Sequence, residues 1–295
     1  MTFEQLAIFV AVAEREHLTK AAASVNLTPS AVSTAIKNLE HHYGVELFHR
    51  VGRRIELTES GRIFLGEAKS LLSRARAAEL VLSELGGMRR GTLSVFASQT
   101  IASYWLPSRL MRFHALHPGI DLTLTIGNTR TVADAVISGE ADVGFVEGDI
   151  DEPALAASVV AQDELVVVVS ASHPWARASE LASEELVATP WVMREVGSGT
   201  RSVFEDALVE LGIKVEDLAV AMVLPSNEAI LAALDDSVCA AAVSRLAAQQ
   251  HIEAGKLIEV DFCRPVREFR LLKHKERHSS KAASTLIEMC RVKRT

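Results

Sequence analysis

Ser30, Ser33, Thr34 and Lys37 recur at i, i+3, i+4 and i+7, the spacing of one face of an α-helix. Three short hydroxyls and one lysine suit recognition. The hydroxyls let a helix backbone approach base edges and phosphates closely, and Lys37 reaches a phosphate. Thr28, just before this stripe, adds a further hydroxyl. Arg50, Arg53 and Arg54 follow around Gly52, and so short a cluster of guanidinium groups suits a phosphate clamp or an insertion into the minor groove. A third set of polar residues stands at strand-to-helix junctions: Ser98-Gln99-Thr100, Gly197-Ser198-Gly199-Thr200-Arg201 and Ser226-Asn227-Glu228. Hydroxyls and amides at a helix N-terminus, with the helix dipole behind them, hold small anions. Each set also has a plainer reading: a solvated helix face, solubilising arginines, and ordinary N-caps.

The elements that must carry the first two sets can be read from spacing. Phe3, Leu6, Phe9, Val10 and Ala13 give a first amphipathic helix. Thr19 is placed to cap a second, Lys20 to Val25, whose Ala21-Ala22-Ala23 run admits close neighbours. Asn26-Leu27 makes a turn; Thr28 then caps a third helix with Pro29 at its first position. Val32, Ile36, Leu39 and Tyr43 form its expected buried stripe, opposite the hydroxyls. Two short helices joined by a tight turn are a helix-turn-helix, whose second helix enters the major groove of DNA. The alternation of Ile55 and Leu57 beyond Gly52 predicts a β-hairpin wing that carries the arginines. His41 and His42, adjacent and so on different faces, read as surface residues.

Composition sets the frame. The chain has 295 residues, 48% hydrophobic and 23% charged, which argues for folded cores in two or three domains. Its net charge is −7. Residues 1–90 hold 12 Lys/Arg and 10 Asp/Glu, a charge of +2; residues 91–295 hold the other 19 and 28, a charge of −9. The acid therefore lies away from the expected DNA contact. The start shows no signal-peptide pattern, and no apolar run is long enough for a membrane span. Cys239, Cys263 and Cys290 are scattered and predict neither a disulfide framework nor a zinc site, which suits a reducing cytoplasm. No G-x-S-x-G elbow, H-E-x-x-H pair or Walker A loop is present, so no catalytic residue, metal or cofactor is expected.

From Glu59 the sequence is helical. Phe64, Ala68, Leu71, Ala75, Ala78, Leu82 and Leu85 step by four and three, a coiled-coil seam of about three heptads that ends at Gly86-Gly87. A helix packed on its own protein would carry a similar stripe. After Gly91 short β-branched runs alternate with helices. Strands are expected over 92–97, 120–126, 141–147, 164–170, 191–195 and 219–224, and helices over 101–116, 131–138 and 200–211. Such alternation implies α/β units with a largely parallel sheet, whose ligands bind beyond the carboxyl ends of strands. Trp105, Trp175 and Trp191 read as core or cleft wall. The stretch from Arg264 to the end, with ten basic and three acidic residues, reads as a solvated final strand and helix.

The stretch Leu18 to Gly61, with "LTKAAASVNLTPSAVSTAIKNLE", "LFHR" and "GRRIELTESG", resembles the winged helix-turn-helix of LysR-type transcriptional regulators, and the likeness runs over the whole chain. Members of that family often carry Gln where Pro29 stands and Arg where Thr34 stands. Arg194 to Arg201 is similar to a branch serving sulphur assimilation and carbon fixation. The resemblance implies an all-α winged helix-turn-helix and a long linker helix preceding an α/β effector domain of two periplasmic-binding-protein-like subdomains. The boundaries expected are 1–58 for the winged module and 59–90 for the linker and hinge. The effector domain would span 91–295, with subdomain I at 91–163 and 268–295 and subdomain II at 164–267.

On this reading Thr28, Ser30, Ser33, Thr34, Lys37, Arg50, Arg53 and Arg54 contact double-stranded promoter DNA. A small anionic effector would lie against Ser98, Gln99, Thr100, Asn128, Ser198, Gly199, Thr200, Arg201 and Ser226, with segments 98–100 and 197–201 facing each other across the cleft. The chain would act as a cytoplasmic, nucleoid-associated dimer or tetramer that engages RNA polymerase. The alternative class is a solute-binding-type sensor without a transcriptional role.

Overall fold

The computed structural model describes residues 1–51, 54–85, 91–148, 150–177, 181, 183–262 and 264–291. The chain divides into two compact units, Met1–Met88 with Ser138–Glu140, and Arg89–Ile137 with Ala141–Thr295.

In the first unit, α1 (Phe3–Arg15) starts at a capping box. The Thr2 hydroxyl accepts from the Gln5 amide at 3.2 Å, and Gln5 Oε1 accepts from the Thr2 amide at 3.0 Å. The chain turns left-handed at Glu16 and re-enters a helix at once as α2 (Leu18–Ser24). This early restart puts Thr19 inside the first turn, so the cap is His17, whose Nδ1 accepts from the Lys20 amide at 3.4 Å. Asn26, at φ 55°, makes the tight turn, a left-handed position that asparagine tolerates. α3 (Pro29–Tyr43) is capped by Thr28 through the Ala31 amide at 3.2 Å. Val32, Ile36 and Leu39 are buried, but Tyr43 is 54% exposed. The helix ends at Gly44 just beyond it, and the Tyr43 and His42 rings meet edge-on, centroids 4.6 Å apart.

β1 (Phe48–Val51) and β2 (Arg54–Leu57) form the antiparallel hairpin, Val51 opposite Arg54. Gly52 and Arg53 lie outside the described residues. α4 (Glu59–Leu85) follows, with Thr58 Oγ1 accepting from the Gly61 amide at 2.9 Å. The expected seam divides. Phe64 packs on Phe9, ring centroids 4.8 Å apart, and Ala68 is buried in this unit's own core with Leu6, Val12 and Leu39. Leu71 and Leu82 stay exposed, Leu82 at 69%. The hinge residues 86–90 and the Leu85 side chain lie outside the described residues.

The second unit is a mixed sheet flanked by helices. β3 (Gly91–Ser98), a π-helical turn (Ile101–Trp105) and α5 (Pro107–Leu116) open it; Pro107 splits the expected 101–116 helix in two. β4 (Ile120–Gly127), α6 (Thr129–Ser138), β5 (Val143–Glu147) and the long β6 (Leu155–Ser170) come next. α7 (Ser183–Ala188), β7 (Pro190–Arg194), α8 (Gly199–Glu210), β8 (Ala219–Leu224) and α9 (Asn227–Ala233) build the far lobe. β9 (Ala240–Ser244), α10 (Arg245–Glu253) and β10 (Leu257–Val260) close that lobe, and β11 (Val266–His274) and α11 (Lys281–Cys290) return to the first.

Strand order is β4-β3-β5-β11-β6-β9-β7-β8, with β10 also on β6. The sheet is not largely parallel. β3 runs parallel to β4 and β5, and β7 to β8 and β9, but β6 and β11 are antiparallel to all their neighbours. β6 passes from one lobe to the other in one stroke. Its residues 155–164 pair with β11 and its residues from Leu165 on pair with β9, so the two strands that link the lobes must run against each other. The lobes have separate cores, one around Trp105, Phe145 and Phe269, the other around Trp175, Trp191 and Phe204. All three tryptophans are core.

Candidate functional site

The outer face of α3 carries the first candidate set. Ser30, Thr34 and Lys37 are exposed and Ser33 is half-buried, while Val32 and Ile36 on the inner face hold the helix to α1 and α2. Thr28 Oγ1 lies 3.1 Å from Ser30 Oγ, so the cap and the start of the stripe form one polar patch. The hairpin is fixed to this helix by Glu40, whose Oε1 accepts from the amides of Leu47 at 2.8 Å and Phe48 at 3.1 Å. Arg50 and Arg54 stand on its two strands, opposite Ile55 and Val51. Their side chains, and Arg53 altogether, lie outside the described residues. His41 and His42 are exposed, and among the described residues no group of three or more His, Cys, Asp or Glu is placed to hold a metal.

The second set converges inside the second unit, where β3, α8 and α9 present their ends to one another. Thr100 and Thr200 are brought together by a residue that spacing did not single out. Arg267 of β11 has no exposed side-chain surface. Its Nη2 donates to Thr100 at 3.3 Å, its Nη1 to Thr200 at 2.8 Å, and its Nε and Nη2 to Asp163 Oδ2 at 2.9 and 2.7 Å. The basic C-terminal stretch is therefore not simply solvated, because Arg267 sits in the seam between lobes. Each threonine accepts there and keeps a hydroxyl proton to donate.

Gln99 ties the same lobes at a second point. Its Oε1 accepts from the Asn227 amide at 3.0 Å, Asn227 Nδ2 at 2.6 Å and Arg194 Nη1 at 3.3 Å; its Nε2 donates to Glu228 at 2.6 Å. Asn227 Nδ2 also reaches Thr100 at 2.9 Å. Burial, together with the hydrogen bond and charge of Glu228, pushes the Tyr104 phenol well above its usual pKa, which keeps it a protonated donor there.

Several expected ligand contacts are taken up by the protein itself. Ser226 Oγ caps α9 at the Ala229 amide, 3.1 Å, and Asn128 Oδ1 caps α6 at the Thr131 amide, 3.0 Å. Arg201 donates to Glu205 at 2.6 Å and to the Arg194 carbonyl at 3.2 Å. The glycines do permit close approach, but to the opposite lobe. A Cβ at Gly199 would stand 2.6 Å from the Glu147 carbonyl, and one at Gly197 3.2 Å from Asn128 Nδ2. Ser198 differs from the other caps: it is buried, yet its side chain makes no bond to the first turn of α8.

Two cavities open between the lobes. The smaller, about 420 Å³, is bordered by Phe96, Gln99, Asn128, Thr131, Glu195 and Pro225. The larger, about 840 Å³, is bordered by Gly197, Gly199 and residues absent from the expected set, including Thr129, Arg130, Glu147 and Asp206. Its size suits a small metabolite.

Comparison with known proteins agrees with both halves. Residues 3–62 match the bacterial regulatory helix-turn-helix protein, lysR family, and residues 86–293 match the LysR substrate binding domain. The chain is 33% identical over 292 residues to the uncharacterized HTH-type transcriptional regulator YeiE of Escherichia coli K12, covering 98% of this chain and 97% of that one. It is 32% identical to a probable RuBisCO transcriptional regulator of Cyanidioschyzon merolae, over 97% and 96%. Among solved structures, full-length CbnR complexed with target DNA shares the fold at TM-score 0.69 and 23% identity, over 98% and 99%.

Proposed function

The chain belongs to the LysR-type transcriptional regulators, and from that premise we propose how its two regions divide the work. It is a DNA-binding regulator with a ligand-binding domain. The reading of α3 is that Ser30, Ser33, Thr34 and Lys37 enter the major groove, with Thr28 at its mouth and Arg50, Arg53 and Arg54 on the backbone beside it. In the second unit, a small ligand with an anionic group occupies the cleft against Ser198, Gly199 and Thr200 at the first turn of α8, with Ser98, Gln99, Thr100 and Asn128 across from it.

One observation carries the cleft reading: Arg267 holds Thr100 of one lobe and Thr200 of the other, beside a cavity of about 840 Å³. A ligand there touches both lobes, so it binds differently to open and closed arrangements and can shift their balance.

The test is a thermal-shift screen of small carboxylates, phosphate esters and sulphur oxyanions on the full chain, followed by promoter binding with and without each hit. A ligand at 100 times its Kd stabilises by about 2.7 kcal/mol. Hits that leave promoter binding unchanged would remove the regulatory role of the cleft.

Homo-oligomerisation is part of the same reading. The edge strands β4 and β8 carry exposed Leu124, Ile126, Val220 and Met222, and α4 carries Leu71 and Leu82. Exposed apolar stripes of this kind mark interfaces. Light scattering on the purified chain is expected to give a dimer or tetramer mass, and a stable monomer would end the proposal. Contact with RNA polymerase and residence in the cytoplasm at the nucleoid complete it; polymerase pull-down and fractionation test these two.

A further inference from the structure

The cleft has a charge imbalance that an anionic ligand alone leaves unresolved. Glu147, the last residue of β5, borders the larger cavity and is 3% exposed. Its Oε1 receives no hydrogen bond. The nearest cation, Arg267 Nη2, stands 3.8 Å away, beyond hydrogen-bonding range, and already donates to Asp163 and Thr100. Glu147, Asp163 and Arg267 therefore bury two negative charges against one positive.

The rest of the lining does not correct this. Among the described residues, Asp134, Glu147, Glu152, Asp206 and Glu268 face three arginines; Arg267 is paired with Asp163, and Arg270 with Glu268 at 2.7 Å. Buried carboxylates are ordinarily hydrogen-bonded or paired, and an exception in a cavity wall points to a partner. Thr129 donates its hydroxyl to the Glu147 carbonyl at 3.1 Å, fixing the backbone while the carboxylate keeps its acceptor capacity.

We propose that the cleft ligand is an amino-acid-like zwitterion, its ammonium group meeting Glu147 and its carboxylate lying against the first turn of α8. Glu147 is then the residue that determines specificity for the amino group. The inference rests on the cleft being the ligand site, and adds the chemical class. Ser198, which leaves that first turn without a side-chain cap, supplies a hydroxyl on the carboxylate side.

The experiment uses the full chain and matched probes: L-glutamate, L-aspartate, L-alanine and L-serine, each beside 2-oxoglutarate, oxaloacetate, pyruvate or hydroxypyruvate. At least one amino acid is expected to raise Tm and to bind at least tenfold more tightly than its 2-oxo partner by calorimetry. E147Q is expected to lose that preference while melting no lower than wild type without ligand, because it removes a buried charge that lacks a hydrogen bond. D163N, which strips Arg267 of its main partner, is expected to melt lower. Equal binding of the 2-oxo acids overturns the ammonium assignment and leaves the cleft reading standing. Silence from both series overturns the assignment as well, and the cleft reading then depends on the oxyanion screen. An E147Q that keeps the preference, or that melts as low as D163N, makes Glu147 a structural partner of Arg267 and ends the proposal.

Discussion

The two candidate surfaces are built in opposite ways. On α3 the residues proposed to read DNA share one solvent-facing stripe, three exposed and Ser33 half-buried, and the helix that carries them is held by neighbours a few dozen residues away. Between the lobes the polar residues are buried, and their partners lie far off in sequence: Gln99 meets Asn227, and Arg267 meets Thr100. A groove-reading surface must stay solvated until DNA arrives, whereas a cleft that responds to a ligand needs buried polar groups whose pairing can change. Substituting the solvent-facing stripe should leave the fold nearly unmoved; substituting the buried, hydrogen-bonded residues between the lobes should disturb stability and response together.

The hardest test of that contrast is Arg267→Met. It leaves Asp163 buried without its charge partner and removes the donor shared by Thr100 and Thr200. Breaking a fully buried pair in this way destabilises by about 3–5 kcal/mol. Lys37→Ala on α3, an exposed lysine, is expected to stay within about 0.5 kcal/mol while weakening DNA binding and flattening its salt dependence. Thermal melts of both variants, with a salt titration of promoter binding, check the pair. Similar melting of the two would erase the difference between regions.

This same contrast explains what could be read in the residues themselves. Thr28, Pro29 and the buried Val32, Ile36 and Leu39 act through their nearest turns, and local spacing predicts them. Tyr43 and Thr19 depart from expectation because of where helices end and restart: α3 stops at Gly44, one residue after Tyr43, and after the left-handed Glu16 α2 already begins at Leu18, one residue before Thr19. In the cleft, spacing locates the strand-to-helix junctions at Ser98, Ser198 and Ser226, but Ser226, Asn128 and Arg201 are occupied locally. Arg267 was visible in one respect: it alternates with Phe269 and Leu271, which places it on a buried face of β11. The identity of its partners was not, because Asp163, Thr100 and Thr200 reach it only through the antiparallel crossing of β6 and β11.

A smaller effect should come from Glu40→Ala. Its carboxylate joins α3 to the hairpin through two amides, so the variant leaves the Leu47 and Phe48 N–H groups without that acceptor. A loss of about 1–3 kcal/mol follows. DNA affinity should fall further than stability alone requires, since the wing loses its set position beside α3. A promoter affinity equal to wild type in a folded Glu40→Ala protein would detach the hairpin from recognition.

The smallest effects separate a cap from a site. Thr28 accepts from the Ala31 amide at 3.2 Å, so Thr28→Ala removes a working cap and should cost about 1 kcal/mol. Ser198 occupies the same position before α8, yet makes no such bond. With no ligand present, Ser198→Ala should therefore change stability by only a few tenths of a kcal/mol, about the size of an ordinary neutral substitution. Its effect should appear instead as lost stabilisation when ligand is added. Melting curves of the two alanine variants, each with and without a hit from the screen, decide the matter. Should Ser198→Ala melt as low as Thr28→Ala while keeping its ligand shift, Ser198 is a plain cap, and the buried hydroxyl at the head of α8 has no part in binding.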